Sequence, residues 1–491
     1  MTIYFGTIIT LDKDNNIFKY LVEDKGRILY VGNSIPEAFK EAEVVELGER
    51  VLLPSFCDSH QHFASFAMFN MGLNVMNLES NAEIKEAIKK FAEKSKDKMI
   101  IAFGASKYAV KERALLTKAD LDEVCPNKPI AVVKYDGHAA IVNSALIKKI
   151  YQKAYNLRGF HEDTGEMNQE AFFMVSNFMS SSISIFKLIK AMRKAVDYEI
   201  SKGIGMVHSV SGVGFPLNLD ITLETLFSKS LKNGFQIRVF PQALDIKVAK
   251  RRKLKRIGGC FKCALDGCFG SVDAALNGKY LDGSDGVLYY SNDLVIDFCK
   301  KANRAGLQIE MHAIGDKAFD QATRALKAAL DDFPRKDHRH GIIHACLPTE
   351  EGLKICQDYN IQLPVQSAFI DWKQEPDEYL KTILDKKTIK RLNPLKKFVD
   401  LGLVISAGSD GPCTDPDPII WFQKAVEAGL TVDEALRICS YNGYWTTFDE
   451  KDRGSLEVGK IADMVILSKD PHKTLDIKVE ETILKGKRHE F

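Results

Sequence analysis

No stretch of this 491-residue sequence approaches the roughly 18 uninterrupted apolar residues of a membrane-spanning helix. The opening Met1-Thr2-Ile3-Tyr4-Phe5-Gly6 lacks the charged start and long apolar core of a secretion signal, so a cytoplasmic chain with reduced thiols is expected. Charge of one sign is lacking too. The 68 basic and 66 acidic side chains leave a formal +2, which excludes a general bias toward nucleic acid or anionic membrane. The one basic run, seven of the ten positions from Lys247 to Arg256, has no interleaved aromatic residue and reads as a solvated helix face. There is no dinucleotide fingerprint, nucleophile elbow or internal repeat, and Gly315-Asp316-Lys317 lacks the glycine spacing of a phosphate loop. The ten cysteines are scattered. Cys260-Phe261-Lys262-Cys263 has no second pair at zinc-finger spacing, lies in a strand-like run and reads as buried structural thiols.

What is present is the composition of a globular protein, 45% hydrophobic and 27% charged, in a chain longer than the usual single domain. Residues 1 to 50 show short strands at 7–11, 27–32 and 44–48, and the C-terminus repeats that character at 462–467 and 477–484. Strand-rich ends around an α/β middle predict that residues 1–50 and 454–491 share one small β-sandwich domain. The middle alternates strand-length apolar runs with helical periods, the pattern of βα units. Eight strands are expected, at 51–57, 205–209, 236–240, around 260–265, 307–312, 342–344, 361–365 and 403–407, which predicts a (β/α)8 barrel over 51–74 and 176–453. Residues 75–175 are too long for a crossover and read as an inserted subdomain over the barrel mouth, with a helix at 82–94 and strands at 99–103 and 130–133.

In such a barrel the active site is built from the C-terminal ends of strands. After the first apolar run stands Asp58-Ser59-His60-Gln61-His62, whose histidines share a face at i and i+2. The fifth strand ends in His312, the sixth in His344, and the eighth is followed by Asp410. Four of eleven histidines and one aspartate therefore converge, and imidazole with carboxylate is a zinc ligand set, although iron, manganese and nickel accept the same groups. A zinc-bound water has its pKa lowered to about 7. Asp410 is placed to take that water's proton and hand it to a leaving group, and His344 or His312 is free to orient substrate if one metal is bound.

These stretches resemble the amidohydrolase superfamily, in particular its amidohydrolase-3 or YtcJ-like group. The resemblance also rests on Asp136-Gly137-His138, Lys262 with Asp266-Gly267, Arg339 to Ala345, Gly408-Ser409-Asp410 and Gly454 to Val465, and it covers nearly the whole chain. It implies metal ligation by His60, His62, Lys262, His312, His344 and Asp410, with a carboxylated Lys262 bridging two zinc ions about 3.5–4 Å apart. A lysine paired with Asp266 is the other reading of Lys262. The resemblance also brings His138 to the active site as a catalytic residue that hydrogen-bonds substrate or polarises its carbonyl; a capping histidine in a turn is the alternative. It implies a hydrolase acting on a non-peptide C–N bond (an amide, a substituted formamide or a cyclic amide) by metal-activated hydroxide. The competing readings are a mononuclear heterocycle deaminase, against which Asp316 sits four residues past His312, and a non-catalytic binding or regulatory barrel. The expected partners are a small-molecule substrate and a second copy of the chain, with neither nucleic acid nor membrane. Two departures from the group concern the substrate. Gly270-Ser271-Val272-Asp273 lacks the usual arginine after Gly-Ser, and Ile343 replaces a glutamate before the sixth-strand histidine.

Overall fold

A computed structural model describes residues 1–70 and 72–490; Met71 and Phe491, which fall within expected units, lie outside the described residues. The two chain ends enter one mixed seven-stranded sheet. Thr2–Ile9 pairs antiparallel with Ile17–Asp24 and parallel with Glu43–Pro54, and Met464–Leu467 returns to pair antiparallel with Glu43–Pro54. Tyr4, Ile8, Leu21, Leu52, Met464 and Ile466 close a small core on one face. Ile9, Val51, Leu53, Val465 and Leu467, at alternating positions, join the main core on the other. Hydrogen bonding runs through all seven strands, so the ends form one continuous sheet where a sandwich was expected. The run 51–57 is divided between two elements. Ser55 donates its N–H to Asp463, whereas Phe56 donates to Gly203, so the chain changes partners there. The run's first half finishes Glu43–Pro54 and its second half opens Phe56–Gln61.

Eight strands then lie in three parallel ladders in chain order. Phe56–Gln61, Ile204–Ser211 and Gln236–Pro241 form the first, Arg256–Ala264, Gln308–Ala313 and Gly341–His344 the second, and Leu363–Val365 with Ile405–Ala407 the third. Parallel bridges join Gly341 to Gln362 and, closing back on the first strand, Gln61 to Gly411. The helices between them bury one stripe each. In Asp316–Asp332 the buried Ala318, Phe319, Ala322, Ala325, Leu326 and Ala329 recur at helical spacing, and each large apolar side chain so removed from water contributes about 1.5–3 kcal/mol.

Residues 73–168 supply a five-stranded sheet centred on Ile130–Lys134. Ile101, Phe103, Ala131 and Val133 pack with the helices Ser144–Ala154 and Gln169–Ser182. Ile100, Ala102, Ile130 and Val132 pack with Asn81–Lys94 and Lys118–Val124. Covering both faces explains why these strands are apolar throughout rather than alternating. The expected helix at 82–94 is Asn81–Lys94, capped by Ser80 Oγ accepting from Glu83 N at 3.2 Å. Among the described residues, no single helix is long and apolar enough to cross a membrane.

Glu224 is fully buried near the ends of the first ladder, accepting from Ala64 N at 3.1 Å and from Ser211 Oγ at 2.6 Å. Burial, with the Asp220 carboxylate beside it, raises its pKa from 4.5 to about 7. The folded chain thus keeps a proton that the unfolded chain releases above about pH 4.5. The resulting stabilisation is full below that pH and is lost as pH rises through the folded value. Glu224→Gln is expected to raise stability at pH 8 by on the order of 3 kcal/mol at most, seen as a higher melting temperature, with the gap narrowing toward pH 4.5. Calorimetry showing a gap independent of pH would contradict this account.

Candidate active site

The fourth parallel strand is irregular. Gly259 pairs with Met311 and Ala264 pairs with His312, so Cys260 to Cys263 have no partner positions. Phe261 sits inside this bulge at φ 45°, a left-handed conformation that a bulky residue adopts only under strain. In a regular strand residues 260 and 262 would share a face. Here Cys260 is buried, Phe261 is half-buried and Lys262 is exposed. Lys262 Nζ donates to Gly212 O and to Asn218 Oδ1. It meets neither the histidines nor Asp266, whose oxygens accept from the backbone N–H groups of Ala275, Ile314 and Gly315. Cys260, read in the sequence as a buried structural thiol, stands among the histidines where Lys262 was expected.

Cys260 Sγ stands 3.2 Å from His60 Nε2 and 3.6 Å from His344 Nε2. Asp410 Oδ1 stands 3.1 Å from His60 Nε2 and 3.3 Å from His62 Nε2. One donor atom each from His60, Cys260, His344 and Asp410 all lie within 4.8 Å of one another, and all four residues are buried. Donors held tetrahedrally at about 2.0–2.3 Å from one ion stand about 3.3–3.8 Å apart, so the set fits a divalent cation. Three further observations agree. Asp410 Oδ1 is buried without a hydrogen bond of good geometry. Burial, with His312 nearby, drives His344 well below the usual histidine range, leaving an imidazole lone pair. Burial would raise Asp410, but the neighbouring His60 and His62 hold it ionised, well below the usual carboxylate range.

The surrounding residues fix these orientations. His344 Nδ1 lies 2.5 Å from Gln366 Oε1 and donates to it, turning the Nε2 lone pair toward Cys260. Asp58 Oδ1 accepts from His60 N at 3.1 Å and from Ser409 N at 3.0 Å, and its Oδ2 lies 2.5 Å from Ser409 Oγ. Asp410 N donates to His60 O at 2.8 Å. First strand and last loop are therefore clasped together beneath the donor atoms. His312 packs its ring 4.5 Å from that of His344, but its Nε2 is turned to Gly267 O at 3.2 Å and its Nδ1 has no partner, outside the four-donor group. Burial would lower its pKa, but Asp266 keeps it raised.

His138 lies in the hairpin between Ile130–Lys134 and Ala139–Val142, and lines the same cavity as His62, His312, His344 and Asp410. Its Nδ1 is 2.7 Å from Asp136 O, which assigns the proton to Nδ1 and leaves Nε2 as an acceptor. Phe261 stands between the two histidines, its ring 5.2 Å from His62 and 5.2 Å from His138. Asp136, His138 and Cys268 form a second close donor group, but Lys134 Nζ sits 3.0 Å from Asp136 Oδ2 and its ammonium opposes a cation there.

The fold thus brings His60, His62, His344 and Asp410 together, sets His312 and His138 at the edge of the group, and turns Lys262 away. Cys260 was read in the sequence only as a structural thiol and Asp58 only as part of the histidine motif, and Gln366 was not singled out. Gly258-Gly259 was the available signal for Cys260, because glycines within a strand mark bulges. His344, Ala345 and Asp410, like Phe261, have positive φ, at 72°, 48° and 53°, and such clustering of strained residues accompanies function.

The fold and site define the class: an α/β protein whose parallel strands deliver His, Cys and Asp side chains that could hold a metal to one buried cluster. The chain belongs to the amidohydrolase family, whose model matches residues 43–489. It is similar to YtcJ of Bacillus subtilis (strain 168), 24% identical over 91% of this chain and 90% of that protein. It is also similar to the N-substituted formamide deformylase of Arthrobacter pascens, 23% identical over 95% of this chain and 93% of that one. Its fold matches the crystal structure of an uncharacterized metal-dependent hydrolase from Pyrococcus furiosus with a TM-score of 0.76 at 22% identity, covering 96% of this chain and 99% of that one.

Proposed function

We propose that this chain is a metal-dependent hydrolase cleaving a non-peptide C–N bond in an amide, a substituted formamide or a cyclic amide. The observation that carries this reading is the convergence of His60, Cys260, His344 and Asp410, the last three of which line one cavity with His62, His138 and His312. The eight parallel strands are read as a (β/α)8 barrel. The domains are read as residues 1–50 with 454–491, residues 51–74 with 176–453, and residues 75–175 over the barrel mouth. Zinc, a cytoplasmic location and a homodimer belong to the same reading.

A divalent ion bound by these donors would act as a Lewis acid and supply hydroxide near neutral pH. The chain's own part is proton transfer and orientation. Asp410, ionised and reachable from the cavity, accepts the proton of the attacking water and delivers it to the departing nitrogen as the C–N bond breaks. His138 accepts, at Nε2, a hydrogen bond from the substrate N–H, and the aromatic walls exclude bulk water. Asp316 does not support the deaminase alternative, because its Oδ1 accepts from Asn277 N at 2.7 Å and its Oδ2 faces Arg391.

Chelation is expected to remove both bound metal and formate release from an N-substituted formamide, with zinc restoring both together. Hydrolysis undiminished in chain stripped of metal would overturn the reading.

A further inference from the structure

The cavity over the donor cluster is bounded on one side by a row of aromatic rings. His344 stacks on Phe369 at 5.9 Å and 19°, and Phe369 stacks on Trp372 at 4.6 Å and 17°. Trp372 meets Tyr135 edge-on at 5.1 Å and 79°. The row starts at a metal-ligating histidine and ends at a carboxylate: Tyr135 OH donates to Glu375 Oε1 at 2.9 Å, and Gly270 N donates to the same oxygen at 3.0 Å. Phe369, Trp372 and Glu375 all line the cavity.

The charges here are unevenly matched. Among the described residues, no lysine or arginine lines the cavity. Asp136 has its own cation in Lys134, 3.0 Å away, and Asp273 is occupied by Tyr289 OH and Cys268 N. Glu375 makes no ion pair among the described residues. Burial, with Asp136 nearby, raises its pKa from 4.5 to about 7, so a positive charge brought beside it would favour its ionised form. Its two donors occupy only Oε1. A carboxylate-bearing substrate end would meet Glu375 and Asp136 with no free cation to answer it, whereas a cation would find the unoccupied Oε2 of Glu375 beside the Trp372 end of the aromatic row.

We infer that this end of the cavity is a cation subsite, in which Glu375, with the Trp372 indole beside it, holds an ammonium group at the far end of the substrate. The inference rests on the proposed hydrolase reading for the word substrate, while the subsite itself stands on the geometry above. It makes cationic amides the preferred class and anionic ones the disfavoured class.

The test is calorimetric titration of the metal-loaded chain with a phenylbutyl trimethylammonium ion, which cannot ligate a metal, and with the alcohol of the same chain length. The ion is expected to bind at least about tenfold more tightly than the alcohol. In Glu375→Gln that advantage is expected to fall below about threefold, with the alcohol unchanged. A residue that only ties Tyr135 to Gly270 would not shift the ratio between two ligands. Trp372→Leu is expected to reduce the advantage as well, and it carries the test if the glutamine variant fails to fold. No preference for the ion in the wild type, or the same preference in both variants, overturns the subsite. Failure of the hydrolase reading shows separately, as absent amide turnover in chain that still discriminates the ion from the alcohol.

Discussion

Asp410→Asn is expected to lower kcat for amide hydrolysis by about 10²–10⁴-fold, the usual worth of a positioned general acid–base. The substitution is nearly isosteric, and the loop that carries it is held independently of the carboxylate. Asp410 N donates to His60 O, and Ser409 is fastened to Asp58 through both its N–H and its hydroxyl. His60, Cys260 and His344 remain as three donors, so bound metal should persist while proton transfer fails. Turnover near that of the wild type, measured at matched metal content, would remove Asp410 from the role assigned to it.

Cys260→Ala is expected to weaken metal binding by at least about 100-fold, more than loss of an outer-shell partner, whereas Lys262→Ala leaves it unchanged. The two positions compete for one role, and the bulge decides between them by turning Cys260 inward and Lys262 outward. Without a cation beside it, the Cys260 thiol is kept protonated by burial, with its pKa well above the usual range. A divalent ion is the partner that would make it a thiolate. Replacing the bound metal with cobalt gives a readout independent of activity. The wild type and Lys262→Ala should show sulfur-to-cobalt charge transfer in the near ultraviolet, and Cys260→Ala should not. Loss of metal in the lysine variant with retention in the cysteine variant would reverse the assignment.

Much of the site was legible because its residue types carry their own positional logic. The spacing of His60 and His62, the histidine closing Gly341–His344 and the aspartate after Ile405–Ala407 each stand where a parallel strand ends. The strands themselves announce their ends through apolar run length, six of them to within about two residues. The first strand was misplaced because Val51 to Cys57 is apolar apart from Ser55 and has the length of one strand, and run length does not show that the chain changes hydrogen-bonding partners at Ser55. Lys262 was assigned to the site through the resemblance, and the bulge at Cys260 to Cys263 that turns it outward is not legible in that match.

By itself the sequence determined which chemical groups this protein can bring to strand ends, and hence the kind of chemistry open to it. Those groups follow from residue identity and from local periodicity, which are properties of the chain. The tertiary structure alone decided that Cys260 rather than Lys262 faces the histidines, that His312 turns Nε2 to Gly267, and that Glu375 ends an aromatic row begun by His344. Each depends on contacts between segments far apart in sequence. Gly258 and Gly259 leave no room for side chains against Glu310, Val210 and Gln242, and Phe261 fills the space between His62 and His138. Side-chain direction in a bulge is set by what the neighbouring strands leave open, and that space exists only once the chain has folded.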